Sequence, residues 1–329
     1  MIPARIFSPS FPRIVRALTF SVDLAATRFS ILGSRPCLKH RSPRPTGARP
    51  FVAAAAAEMT VSFGGLDSRE MSLVGTLILD LALNWGAWII AAIFKTEKFY
   101  DAVGSLSFCT VALSSLINGN HFHARQIGVT GMILVWTVRL GTFLLYRAIK
   151  FGGDSRFKEA TEKPALYFVY WTMQAAWVWV CCLPLTFLNA KASNPGLGPS
   201  DIIGIILYVT GMLTEVTADF QKLFFKMNPD NRGQFVNVGL WKNARYPNYF
   251  GEMLIWWGIF VTSIKGLSGV EFVSVVSPCF VMLLLLTVSG IPLQEKQAKE
   301  RWGQDPAYQE HRRRTNLLVP IPKFWVGTK

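Results

Sequence analysis

Seven apolar segments, at about 71–94, 102–117, 127–149, 165–188, 201–221, 250–265 and 271–290, crowd into some 220 residues of this chain. Most approach the roughly 20 residues that a helix needs to cross about 30 Å of hydrocarbon. A soluble core accommodates two or three such runs, not seven. Charge agrees with that reading: 16% of the 329 residues are Asp, Glu, Lys or Arg, against about 25% in an ordinary soluble domain. The cysteines exclude two other classes. Of five, Cys37 lies in a basic leader and Cys109, Cys181, Cys182 and Cys279 sit within apolar runs. With no CxxC pair and four His in all, neither a zinc site nor a disulfide framework is expected. The fold class that follows is an all-α polytopic membrane protein of about seven transmembrane helices.

The net charge of +14 divides unevenly. Residues 1–57 hold nine Lys or Arg against one acid, Asp23, and are rich in Ser and Pro. An Arg- and Ser-rich, acid-poor leader is the composition of an organelle transit peptide, and the Ser/Pro content favours the plastid. A basic tail that meets anionic surfaces is the other reading. The organisation expected is a leader over 1–57, a linker over 58–70 and a membrane domain over 71–329. Because the excess charge lies in a removable segment, no nucleic-acid role is expected.

The loops give an independent check on the span count. With seven crossings, one side carries four basic residues, Arg69, Arg125, Lys191 and Lys265. The other carries twenty, among them Lys95, Arg147, Arg156, Lys222, Lys226, Arg245 and the tail through Lys329. That asymmetry is what the positive-inside rule requires of a correct count. In a plastid the basic face is the stroma, and a basic face suits a phosphate-bearing cofactor.

Ionisable residues inside spans are costly and mark interiors or sites. Asp80, Asp101, Arg139, Glu215 and Asp219 are such residues, and an Asp80–Arg139 tie between helices is one reading. Glu215, Asp219, Lys222 and Lys226 fall on one helical stripe, acids deeper and lysines nearer the mouth. The stripe is either a salt-bridge ladder or the polar wall of a cofactor cavity. The segment Gly239 to Glu252, GLWKNARYPNYFGE, then runs into the sixth span. Pro247 blocks helix continuation there, and Gly239 and Gly251 allow close backbone approach. Arg245 offers a fork for phosphate, and Asn248 and Tyr249 offer hydrogen-bonding arms.

GLWKNARYPNYFGE, preceded by EVTADFQK and followed by SGIPLQEK and Tyr308, resembles the steroid 5-alpha-reductase family, most of all its DUF1295 branch. Trp136, Arg139 and Leu140 in the third span and the Gly153 to Phe157 loop extend the resemblance over roughly 75–325. Tyr246 stands where many relatives have His. The resemblance implies a helical membrane reductase that uses NADPH on a carbon–carbon double bond conjugated to a carbonyl in a lipophilic steroid, prenyl or fatty-acyl substrate. It implies cofactor contacts by Asp219, Arg245, Asn248, Tyr249 and Glu252, with Glu295 near the ribose or amide end. Arg139, Arg147, Arg156 and Lys226 would face the phosphates. The proton donor implied is a tyrosine supported by a carboxylate, with Tyr146 and Tyr100 as candidate phenols and Asp101 as support. No GxGxxG follows a strand, so a Rossmann mode of cofactor binding is not expected.

A shorter form of the same motif occurs in isoprenylcysteine carboxyl methyltransferases, so an S-adenosylmethionine-dependent membrane methyltransferase is the alternative, and a non-enzymatic scaffold the third reading. His121 and His123 are not expected to bind metal. Trp177, Trp179, Trp256 and Trp257 read as packing or lipid-facing aromatics. The stretch Glu295 to Arg314 reads as an interfacial helix, with Arg312, Arg313 and Arg314 meeting anionic lipid.

Overall fold

A computed structural model describes residues 68–151 and 158–322. The leader, the Gly153 to Phe157 loop with Arg156, and the last seven residues lie outside the described part. Helix α1 spans Ser68–Ile93, α2 Tyr100–Gly119, α3 Ala124–Phe151, and the one-turn α4 Lys158–Thr161. Then come α5 Pro164–Asn189, α6 Pro199–Met227, α7 Pro247–Ser263, α8 Val276–Leu283, α9 Ile291–Trp302 and α10 Pro306–Arg314. Proline opens α5, α6, α7 and α10 within the first turn, where its missing N–H and fixed φ cost nothing. No strand forms among the described residues. One isolated parallel bridge, Ala244 with Asn316, ties the tail to the loop before α7.

Six helical segments among the described residues are long and apolar enough to cross a membrane: Arg69–Ile93, Tyr100–Gly119, Ala124–Lys150, Pro164–Asn189, Pro199–Met227 and Gly269–Trp302. The chain is thus an all-α polytopic membrane protein. Helix α7, with 17 residues, spans about 26 Å at 1.5 Å per residue, slightly short of the hydrocarbon core. It is the helix that α6 grips most closely. A Cβ on Gly211 would meet the Gly251 carbonyl oxygen at 2.6 Å, and one on Gly204 would meet that of Gly258 at 2.8 Å. Two glycine pairs seven residues apart on each helix therefore let the backbones of α6 and α7 touch, the small-residue packing that membranes favour.

Ion pairs sort the helix ends into two faces. Arg125 grips Asp201 through two nitrogens, at 2.7 and 3.0 Å, and also donates to the Pro195 carbonyl at 2.9 Å. Arg69 and Lys191 both reach Glu271, at 3.3 and 2.8 Å. These contacts gather the starts of α1, α3, α6 and the segment before α8 at one end. Lys95 meets Glu162 at 3.0 Å at the other. The loop residues found together at each end are those that the positive-inside split assigns to one side.

The core runs through Phe108, Trp136, Val178, Leu185, Ile255 and Trp256, all at most 1% exposed. Outward, Ile202, Ile206 and Leu213 on α6 are 58–65% exposed, an apolar face left for lipid. Between α8 and α9 the helix widens into a π-turn, Leu284–Val288, before Gly290 and Pro292 break it. Such bulges sit at functional sites more often than chance allows.

Candidate functional site

A cavity of about 720 Å³ opens at the basic end of the bundle, within the size range of small-molecule sites. Its walls change character with depth. At the mouth stand Arg147 of α3, Lys226 of α6 and Arg301 of α9. Further in are Lys222, Asp219, Asn248 and Tyr249, and beyond them Glu215, Glu252 and Gln174. Phe108, Trp136 and Trp177 close the deep end, Phe108 packed edge-on against both indoles at 5.0 and 4.8 Å between ring centres. A second cavity of about 330 Å³ shares Arg147, Lys222, Lys226 and Arg301 with the first. Its own walls include Phe235, Trp241, Arg245, Tyr308 and His311.

The acidic wall is held from behind. Arg139 forks to Glu215 and Asp219, 2.6 Å from each carboxylate. The ladder along α6 is therefore an interhelical clamp at its acidic end, while Lys222 turns over the Trp241 ring at 4.8 Å. This corrects two expectations. Arg139 does not pair with Asp80, whose Oδ1 accepts from Asn84 at 2.8 Å instead. Nor does it face phosphates, because both arms of its guanidinium are spent on α6. Glu252 is held similarly: the indole N–H groups of Trp136 and Trp256 donate to its two oxygens at 3.1 and 2.8 Å.

The loop before α7 is fixed by the tail. Arg245 N donates to the Asn316 carbonyl and Tyr246 N to that of Leu317, each at 3.0 Å. Glu295 gathers Arg245, Arg312 and the Tyr246 hydroxyl at 2.8, 2.8 and 2.9 Å. Glu295 thus organises the rim and does not line either cavity. Burial, with the Glu295 carboxylate next, pushes the Tyr246 phenol well above its ordinary range. Tyr246 therefore presents a hydroxyl that stays protonated and donates to Glu295. Burial also holds His311 below its ordinary 6.5, with the Arg245 cation adding to the effect.

The structure brings together Asp219, Lys226, Asn248, Tyr249, Glu252 and Arg147 on one cavity, with Arg245 on its annex. Tyr100 and Asp101 line the first cavity too, the Tyr100 hydroxyl donating to the Tyr170 carbonyl at 2.9 Å. Tyr146 is 45% exposed on the outer side of α3 and outside the lining. Trp177, read from sequence as packing or lipid-facing, is a cavity wall, whereas Trp256 and Trp257 pack as expected. His123 Nε2 donates to the Ala192 carbonyl at 3.0 Å, and no metal-ligand cluster occurs among the described residues. The tail is two helices, not one. Arg313 and Arg314 both pair with Glu310 and Arg312 with Glu295, which offsets part of the charge expected to meet lipid.

Arg301, Gln174, Thr137 and Phe235 were missed from sequence. Gln294, Gln297 and Arg301, at spacings of three and four on α9, carried a helical-face signal. Several wall atoms are buried with no hydrogen-bond partner among the described residues: Glu215 Oε2, Thr137 Oγ1 and Asn248 Oδ1, and Arg245 Nε in the annex. Buried polar atoms are normally paired, so these fit a polar ligand bound between cationic mouth and acidic wall.

Two curated relatives each match a short stretch. "Probable O-methyltransferase ustE" of Ustilaginoidea virens is 32% identical over 69 residues, 21% of this chain and 24% of that protein. "Steroid 5-alpha-reductase DET2" of Arabidopsis thaliana is 31% identical over 70 residues, 20% of this chain and 26% of that protein. The chain therefore spans about a quarter of the length of each. No solved structure matches significantly. The family described as a protein of unknown function, DUF1295, matches residues 87–315, most of the helical bundle just described, and the chain belongs to that family.

Proposed function

We propose that the protein is a membrane reductase that uses NADPH on a conjugated carbon–carbon double bond in a lipophilic substrate. The observation that carries this reading is the gradient along one cavity, from Arg147, Lys226 and Arg301 at the mouth, with Lys222 just inside, to Phe108, Trp136 and Trp177 at depth. A cofactor with three phosphates has reason to meet four cations, and an apolar substrate has reason to enter an aromatic end. The similarity to a steroid 5-alpha-reductase supports the same reading.

In this proposal Lys226, Arg147, Lys222 and Arg301 hold the phosphates, and Arg245, Asn248 and Tyr249 hold the ribose and amide portions. Bound NADPH supplies the hydride. The chain's own residues do the rest. The mouth cations and the acids at depth orient an amphiphilic ligand with its anionic end outward. Arg139 and the two indoles keep Glu215, Asp219 and Glu252 fixed, so the wall does not reorganise as charge moves. Tyr100 and Asp101 are retained as the phenol and supporting carboxylate that polarise a substrate carbonyl, which requires the Tyr100 hydroxyl to exchange the Tyr170 carbonyl for that of the substrate. The bundle walls exclude water from the aromatic end.

The second reading, an S-adenosylmethionine-dependent methyltransferase, draws on the O-methyltransferase relative. S-adenosylmethionine has no phosphate and a cationic sulfonium, so a ring of four cations favours it less. Binding to detergent-purified protein separates the two. NADPH should bind, and Lys226→Ala or Arg301→Ala should each weaken it about tenfold. S-adenosylmethionine binding without NADPH binding overturns the reductase, and binding of neither moves weight to a scaffold. We further propose that residues 1–57 direct import into plastids, with the cavity mouth facing the stroma. A leader fused to a fluorescent protein that stays in the cytosol or endoplasmic reticulum refutes the targeting.

A further inference from the structure

A buried polar relay lies behind the cavity, and its hydrogen-bond direction can be assigned without ambiguity. The Asn84 side-chain nitrogen lies 3.0 Å from the Asp80 backbone carbonyl, an atom that can only accept, so the amide of Asn84 must place its donor there. The other end of that amide, Oδ1, is then an acceptor, and it takes a proton from Gln174 Nε2 at 3.0 Å. The same Nε2 lies 3.2 Å from the Tyr100 backbone carbonyl, a second obligate acceptor. Two independent carbonyls thus fix both amides in one orientation. Asp80 and Asn84 are fully buried and Gln174 is 4% exposed.

The consequence falls on the cavity. Both N–H groups of Gln174 are spent, on α1 and on α2, and Gln174 lines the cavity wall beside Gly104. A Cβ on Gly104 would come within 3.1 Å of the Gln174 amide, so the glycine makes the room in which that amide sits. What remains to face the cavity is Oε1, with no donor to it among the described residues. Gln174 stands ten residues into α5 from Pro164, about 15 Å in at 1.5 Å per residue, at the level of the aromatic end. Glu215 Oε2, another acceptor, is also without a partner there.

The geometry points to Gln174 as a specificity-determining residue that selects a lipophilic substrate bearing a hydroxyl or N–H group at its buried end. This rests on the reading that a lipophilic substrate occupies the aromatic end of the cavity, and it is independent of which cofactor serves it. A carbonyl or ether oxygen at that position would face Oε1 as acceptor against acceptor, and the unpaired amide oxygen would count against the complex.

The test uses matched tritiated probes and detergent-purified full-length protein, by scintillation proximity and without cofactor. Three pairs cover the lipophilic classes: geranylgeraniol, a 3-hydroxysteroid and a long-chain fatty alcohol, each against its methyl ether. The alcohol should bind about tenfold tighter than its ether in at least one pair, a difference of one hydrogen bond. Gln174→Met, similar in length and without the acceptor, should bring that ratio close to one while ether binding persists. Equal behaviour within all three pairs of the wild-type protein, including no binding by any probe, overturns the inference. So does an alcohol preference that Gln174→Met leaves intact. The wild-type comparison stands even if that variant fails to fold. An alcohol preference in a protein that does not bind NADPH keeps this inference and removes the reductase. NADPH binding with no alcohol preference does the reverse.

Discussion

Replacing Arg139 by Leu tests whether the cation in the third span is a clamp or a cofactor ligand. Its guanidinium lies 2.6 Å from both Glu215 and Asp219, and the three side chains are 15%, 6% and 10% exposed. Removing one partner of a buried ion pair typically costs about 3–5 kcal/mol, because the remaining charge has nowhere to go. Protonation of one acid relieves part of that, so the low end of the range is expected at neutral pH. For a chain of this size, roughly 2–4 °C of melting temperature accompanies each kcal/mol. Arg139→Leu should therefore melt at least about 6 °C below wild type in detergent. Arg139→Leu with Glu215→Gln and Asp219→Asn should recover most of that loss, since a neutral triad leaves no stranded charge. If Arg139→Leu melts with wild type but loses NADPH affinity selectively, the clamp is refuted and Arg139 is a phosphate ligand after all.

Gly251→Ala and Gly211→Ala should each destabilise by about 1–3 kcal/mol through overpacking, because the new methyl would sit 2.6–2.7 Å from opposing backbone. Gly128→Ala and Gly131→Ala, where nothing lies within 4 Å, should be neutral or stabilising; equal losses at all four refute close α6–α7 contact. His311 is held below 6.5 in the folded state by burial and then by Arg245, so the unfolded chain binds its proton first as pH falls. Its contribution is fully present above pH 6.5 and is lost as pH falls toward the depressed value. The melting temperature should thus decline below pH 6.5, and less steeply in His311→Gln. Glu295→Gln weakens the two arginine contacts that hold the rim and should raise the NADPH dissociation constant several-fold through misplaced Arg245, measured by equilibrium binding. An unchanged constant would mean that Arg245 acts without its anchor.

The crossings were legible because hydropathy is a local property: twenty apolar residues in a row read as a span wherever they pack. Segment Gly239 to Glu252 was legible for a related reason, since its polar residues are close in sequence: Asn248, Tyr249 and Glu252 line the first cavity, and Arg245 and Tyr246 its annex. Pairings between spans were not. A guanidinium at position 139 says only that an acid must be near, and Asp80, Glu215 and Asp219 are equal candidates until helix rotation is known. The annex was illegible for the same reason. Phe235 meets Tyr308 at 5.2 Å between ring centres, across more than seventy residues, because the chain breaks between α9 and α10 and folds back. Read as one continuous helix, the tail would have carried Arg312 to Arg314 away to the lipid.

The roles of the charges in this site divide by what holds them. Glu215, Asp219 and Glu252 stand close enough to raise one another's cost in a low-dielectric interior, yet each is bound from the protein side, by Arg139 or by the indoles of Trp136 and Trp256. Removing any one of those holders is a stability experiment first. Lys226 and Arg301 differ, since both stand exposed at the mouth and line both cavities. Cations gathered at one rim repel one another, and a phosphate-bearing ligand relieves that repulsion. Lys226→Ala should therefore leave the melting temperature of the free protein unchanged or raise it, while reducing the stabilisation that saturating NADPH confers. By mass action, a tenfold weaker site at fixed ligand loses about 1.4 kcal/mol of that stabilisation. Equal loss of stability with and without NADPH would place Lys226 among the structural charges and leave the mouth without its proposed ligand.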